Sequence, residues 1–186
     1  YTTDFAEVKA LGAKFGSSRT AEQTETALFV SDTGIGPFQA ALRDLTARHA
    51  MDISDTARLF AAVDMSVTDA VIAVWDSKYH YGYWRPITAI RLADTDSNPD
   101  TDADPTWEPL FATPPYPDYV SGYTGVVGAM TGSISRILGG GQVDLYITSA
   151  AAGVTRHYVT ASALNQDAID GRMLLGIHFR TADVVG

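Results

Sequence analysis

Apolar residues recur three and four positions apart through most of this chain, and alternating runs are few. That period belongs to helices buried along one face, so the pattern predicts an all-α fold built as a helical bundle. The first helix is expected over Asp4–Lys14. A second follows Ser18-Arg19-Thr20 and spans Ala21–Phe29, with Glu22 and Glu25 in its first turn, where the helix dipole favours acids. A third is expected from about Pro37 to His49. The longest runs from Ser54 to about Ser77, with Ser54 and Asp55 as its cap and Leu59, Phe60, Val63, Val67, Val71, Val74 and Trp75 as its buried face.

Trp84-Arg85-Pro86 marks a boundary, because the residue before a proline is pushed out of helical angles while proline suits the first helical position. A short helix follows to about Leu92. Residues 94–106, DTDSNPDTDADPT, read as an acidic loop, and residues 113–118, TPPYPD, as a rigid extended lead-in. Two helices close the chain: Ser121–Leu138, stopped by Gly139-Gly140-Gly141, and about Val159 to His178. No internal repeat or low-complexity tract interrupts this order.

With 186 residues and 46% hydrophobic content, the chain suits one domain over 1–186 with a real core. Its abrupt ends, at Tyr1 and at Val185-Gly186 inside a continuing pattern, lead us to expect that domain to be incomplete at both. A net charge of -9 argues against nucleic acid or an anionic membrane surface as the main partner, so any anion site has to be local. No apolar run approaches the roughly 18 residues a membrane helix needs, and the chain reads as soluble. The absence of cysteine excludes disulfides, thiolate metal sites and cysteine nucleophiles. Localisation stays unassigned, with export compatible, and a homo-oligomer stays open.

Three clusters could carry chemistry. Lys78 and Arg85, in KYHYGYWRP, end one helix and precede the next, so their side chains either converge on an oxyanion or lie as surface cations with buried stems. Ser121-Gly122 opens a helix, where free N–H groups and the dipole make either a phosphate cradle or an ordinary serine cap. Arg172 and His178, in GRMLLGIHFR, stand six apart, about 120° around an ideal helix, so they flank one face, and Gly176 lets a ligand or backbone approach. Alone, His178 suits a satisfied core histidine.

The remaining candidates read more plainly. Tyr79, His80, Tyr81, Tyr83 and Trp84 suit core or a pocket mouth, with core expected. His49 and His157 suit surface or capping positions. The loop from Asp94 starts like a calcium loop, yet Pro99 and Pro105 stand where such a loop needs glycine and glutamate.

Lysine, six residues, Arg-Pro; then Ser-Gly; then arginine, five residues, histidine: in this order the clusters resemble the vanadium-dependent haloperoxidase and type 2 phosphatidic acid phosphatase superfamily. EVKALG, SSRTAEQTE, ARLFA, WDSKYHYGYWRPITAIR, DPTWEPL, TPPYPDY and GIHFR extend the resemblance over nearly the whole chain, and it looks closest to soluble haloperoxidase-like members. The resemblance implies a helical bundle whose pocket binds vanadate, or phosphate in the same place. Lys78, Arg85 and Arg172 would neutralise the equatorial oxygens, Ser121 and the Gly122 N–H would hydrogen-bond to them, and His178 would be the apical ligand to vanadium. In a phosphatase His178 would instead be the nucleophile.

The departure is Tyr123, where the superfamily has histidine serving as acid and base; the implied catalytic set is then His178, Tyr123 and Lys78. A phenol with a reference pKa near 10, against roughly 6.5 for imidazole, is a reluctant base at neutral pH. Val120 replaces a usual proline, and the spacing from Ser121 to Arg172 is compact. Three functions follow: vanadate-dependent oxidation of halide by hydrogen peroxide, acting on a small-molecule substrate; hydrolysis of a phosphate or diphosphate ester through a phosphohistidine; and a diverged, non-redox use of the pocket for rearrangement, cyclisation or binding.

Overall fold

A computed structural model describes residues 1–32 and 35–186. Helix α1 spans Thr2–Leu11, and α2 spans Ala21–Ser31. Thr20 accepts from the Gln23 N–H at 3.2 Å while the Gln23 side chain accepts from the Thr20 N–H at 2.8 Å, a reciprocal cap that satisfies two orphan donors at the start of α2. Helix α3 covers Ile35–Arg48 and α4 covers Ile53–Tyr81. The cap of α4 is Asp52, which accepts from the Asp55 N–H at 2.8 Å, in place of the expected Ser54. The helix also continues four residues past Ser77, until Gly82 takes a left-handed turn (φ 58°) that other residues resist. This extension carries Lys78 inward as part of the last helical turn.

Pro86 opens the short helix α5 (Pro86–Arg91), and a 3-10 turn at Ala93–Thr95 leads into the acidic loop. There Asp96 accepts from the Asn98 N–H and Asp104 from the Thr106 N–H, so both carboxylates brace the loop's own backbone. Among the described residues, no three His, Asp or Glu side chains gather as metal ligands, this loop included.

Helix α6 (Gly122–Leu138) packs against α4 and against α7 (Ala161–Leu174), and α7 packs against α2; α8 (Arg180–Val185) closes the chain. Between α6 and α7 lies a hairpin the helical reading does not include: β1 (Gln142–Ser149) pairs antiparallel with β2 (Val154–Thr160). Val143, Leu145 and Ile147 alternate inward onto α3, which is the period of two that a strand requires. The last long helix therefore starts at Ala161 rather than Val159. Asp144, on the outer face, is gripped by His49 and His157, each with Nε2 2.7 Å from a carboxylate oxygen, and by Arg48. The two histidines are surface groups, as expected.

Two close approaches shape the interior. A Cβ on Gly171 would lie 2.4 Å from Val30 Cγ2, so at this point α7 leaves room for the Val30 side chain of α2 and for none of its own. Gly176 has φ 77°, and its added Cβ would lie 2.4 Å from the Gly12 carbonyl oxygen. That turn ends α7 before residue 178, so His178 is not on a helix, contrary to the expected span. Replacing Gly171 by Ala is expected to cost about 1–3 kcal/mol through overpacking. Gly128→Ala, with no atom within 4 Å of the added Cβ on α6, is expected to stabilise by about 0.5–1 kcal/mol. Urea denaturation of the two variants checks the contrast.

Candidate functional site

Lys78, Arg85, Arg172 and His178 are all buried, with at most 5% of any of them exposed. Surface snorkelling is excluded for both Lys78 and Arg85. Buried charges need polar partners, and here backbone carbonyls supply most of them. Lys78 Nζ donates to the carbonyls of Pro117 (2.9 Å) and Asp118 (2.8 Å). Arg85, at the N-cap of α5, donates through Nε to the Tyr116 carbonyl (2.8 Å) and through Nη1 to that of Ile177 (2.6 Å). The two cations thus fasten the TPPYPD segment and the turn after α7 to the end of α4, and both lie over the Tyr116 ring, 5.3 and 4.9 Å from its centroid.

These bonds leave donors over. Arg85 Nη2 and Arg172 Nε and Nη1 are buried without a hydrogen-bond partner among the described residues, and so is the Ser121 hydroxyl. Ser121 stands at the N-cap of α6 but its side chain caps nothing, unlike an ordinary serine cap. Its hydroxyl lies beside the buried carboxyl of Asp183, with no hydrogen bond of good geometry between them. Burial holds the Asp183 carboxyl well above the usual carboxylate range. Burial, then the neighbouring Arg85, pushes the Lys78 ammonium down to about 8. The same desolvation, with Arg85, Arg172 and Lys78 around it, drives His178 well below its ordinary value, so the imidazole is neutral at pH 7.

An acid stands among the cations. Asp118 Oδ1 is 2.6 Å from His178 Nδ1 and 3.6 Å from Arg85 Nη1, and Oδ2 accepts from the Phe179 N–H at 3.3 Å. Burial pushes its carboxyl up to about 7, against the pull of Arg85. Asp118 and Asp183 are the residues that sequence reasoning missed. Asp118 sits in a Pro-rich stretch where aspartate reads as a turn former, and its contact is with a residue sixty positions away.

A cavity of about 330 Å³ opens onto Lys78, Arg172, Gly122 and Tyr123, with Trp75 and Tyr116 on its apolar side. Arg85, Ser121 and His178 are buried and do not line it. Trp75, expected in the core, is on the cavity rim, where Tyr79 stacks on it at 5.9 Å. Tyr79, Tyr81 and Tyr83 are exposed, against the expectation of core, and Tyr81 and Tyr83 line a second cavity of about 420 Å³ together with Asp118. The Tyr123 ring faces the Arg172 guanidinium at 5.1 Å and Phe38 at 6.1 Å. Burial pushes its phenol up to about 12, partly offset by Arg172. At neutral pH the phenol keeps its proton.

With this geometry in view, the likeness to known proteins becomes specific. The family model described as the VCPO second helical-bundle domain matches residues 58–186, well over half of the chain, which therefore belongs to the vanadium chloroperoxidase family. Vanadium chloroperoxidase of Curvularia inaequalis is 33% identical over 125 residues, a match covering 55% of this chain and 20% of that protein. In fold, the chain superimposes on the first bacterial vanadium-dependent iodoperoxidase (TM-score 0.71, 23% identity) and on the holo form of a bacterial vanadium-dependent chloroperoxidase (TM-score 0.74, 17% identity). These alignments cover 98% and 99% of this chain and 44% of each of theirs, so it spans less than half the length of the relatives it matches.

The hydroxyl of Tyr123 makes no hydrogen bond among the described residues, whereas its ring covers a buried cation. Tyr123→Phe is therefore expected to change stability by less than about 0.5 kcal/mol. Tyr123→Ala, which uncovers Arg172 and leaves a void beside Phe38, is expected to cost about 2–4 kcal/mol. Chemical denaturation monitored by circular dichroism separates the two.

Proposed function

We propose that the chain carries the oxyanion pocket of a vanadium-dependent haloperoxidase-like enzyme. The observation that supports this reading is the set of buried donors without partners, Arg85 Nη2, Arg172 Nε and Nη1 and Ser121 Oγ, clustered with Lys78 around a neutral His178. Unpartnered buried donors are costly, and a tetrahedral oxyanion such as vanadate would satisfy several at once. The residues present fit that group: Lys78, Arg85 and Arg172 would neutralise its charge, Ser121 and the Gly122 N–H would hydrogen-bond to it, and His178 would hold vanadium through an imidazole lone pair. Bound vanadate would supply the activation of hydrogen peroxide that halide oxidation needs.

The chain's own residues bind, orient and exclude water. Trp75, Tyr116 and Phe38 give the cavity apolar walls, which strengthens every ionic contact inside it. Tyr123 can donate a hydrogen bond at the cavity wall but cannot collect a proton at neutral pH, its phenol standing at about 12. That observation favours a second reading, in which the pocket keeps its oxyanion and redox turnover is slow or replaced by a non-redox use. Phosphate would occupy the same donors, with His178 as the nucleophile of a hydrolase.

Vanadate-loaded protein assayed for peroxide-dependent bromination, beside phosphatase assays without peroxide, tests the readings. Weak bromination that rises about 10²- to 10⁴-fold in Tyr123→His is expected for the peroxidase reading; bromination in neither protein defeats it, and phosphate release that requires His178 would establish the hydrolase instead. Anion binding is tested separately with sulfate, a dianion across the neutral range. Lys78 loses its charge as pH rises through about 8, so sulfate affinity by calorimetry is expected to fall about tenfold or more above that pH. Lys78→Arg, which stays charged, is expected to reduce the decline to the part that ionisation of Asp118, with its carboxyl at about 7, contributes.

A further inference from the structure

We infer that the cavity beside Tyr81 and Tyr83 is a binding site for a small organic ammonium ion, separate from the oxyanion pocket. Its volume is about 420 Å³. Five rings line it, those of Tyr1, Tyr81, Tyr83, Tyr119 and Phe179. They form two packed groups: Phe179 stands 5.8 Å from Tyr1 and 6.1 Å from Tyr83, while Tyr81 meets Tyr119 edge-on at 5.2 Å. Tyr81 and Tyr83 are exposed, so a ligand can reach the cavity from solvent. The face of an aromatic ring carries partial negative charge, and several rings around one space make a cage that takes a cation together with its alkyl substituents.

The acids give the ligand its sign. Asp4 and Asp118 line the cavity, and among the described residues no Lys, Arg or His does. Asp4, on α1, accepts from the Thr181 N–H through Oδ2 at 2.8 Å, a bond that fixes the carboxylate without cancelling its charge. Asp118 is wholly buried, and its Oδ1 has no hydrogen-bond partner among the described residues. The cation adjoining the wall in sequence, Arg180, is turned away: its guanidinium bonds Glu7 and Asp170 at 2.7–2.8 Å. The cavity on Lys78 and Arg172 has the opposite make-up, two cations and no acid on its wall. An anion in the aromatic cavity would face carboxylates, and an uncharged molecule would gain from the rings alone. A cation gains from both, whatever oxyanion the cationic cavity takes.

Choline and its uncharged carbon isostere, 3,3-dimethylbutan-1-ol, are the probes, titrated into ¹⁵N-labelled protein and followed through amide shifts. Choline is expected to bind about tenfold or more tighter than the isostere and to shift the amides of Thr181 and Ala182, which line the cavity. Its affinity is expected to be the same with sulfate present or absent at matched ionic strength. Tyr81→Leu changes an exposed side chain at the end of α4 and is expected to weaken choline about 2- to 30-fold, while Tyr81→Phe, which keeps the ring, binds as the parent does. Asp4→Asn can still accept from the Thr181 N–H, and is expected to weaken choline without changing the isostere. Circular dichroism confirms that each variant is folded before its affinity is compared. Absence of choline binding, equal affinity for the two probes, or a choline affinity unmoved by both Tyr81→Leu and Asp4→Asn would overturn the inference. Displacement of choline by sulfate would overturn the separation of the two sites.

Discussion

Everything about the site depends on buried cations bonded to main-chain carbonyls. Arg85 alone ties three pieces of chain together: the start of α5, the Tyr116 carbonyl and the Ile177 carbonyl. Lys78 adds the carbonyls of Pro117 and Asp118. A carbonyl neutralises only a fraction of a charge, so these bonds hold the loops in place without cancelling the cations. A carboxylate in each position would have fixed the loops equally well and left nothing for a ligand. The same side chains therefore organise the backbone and keep positive potential in reserve, which is how a chain of net charge -9 can offer a site to an anion.

The two buried acids fit this balance. Burial favours the neutral form of Asp183 and raises Asp118 to about 7, so neither offsets a full positive charge in the way an ordinary surface aspartate would. With Lys78, Arg85 and Arg172 against these two groups, the pocket keeps a cationic excess. His178 feels the same field and stays neutral, the form that has a lone pair to give. The protonation states of the site are a consequence of one thing, the depth at which α4, α6 and the turn after α7 bury it.

Much of this was legible in the sequence, and the parts that were not have physical reasons. Helix positions followed from periodicity and from Pro86 and Gly139–Gly141, because these act locally. The hairpin escaped because QVDLYITS carries its alternation over only eight residues between strongly helical segments. Lys78 and Arg85 could be paired because a helix end and an Arg-Pro junction bring them near each other within seven positions. Asp118 could not, since nothing within TPPYPD indicates that its carboxylate reaches His178. The expectation that Arg172 and His178 flank one face of a helix fails for a local cause: Gly176 turns the backbone left-handed and delivers the histidine from a loop. Their proximity survives because the tertiary fold, rather than the helix, supplies it.

Tyr123 shows how one substitution can change what a pocket is organised to do. A histidine beside Arg172 would set a titratable, potentially cationic ring against a fixed cation, which lowers its pKa and keeps it available as a base. A tyrosine turns the negative face of its ring toward the guanidinium instead, 5.1 Å from the centroid, and attracts it. The gain is a better-held Arg172, whose Nε and Nη1 remain unpartnered and oriented. The cost is a proton acceptor. Among the described residues the cavity wall offers no other side chain with a pKa near neutrality except Lys78, and Lys78 is already bonded to two carbonyls. The pocket is thus built more firmly for holding an oxyanion than for moving protons around one.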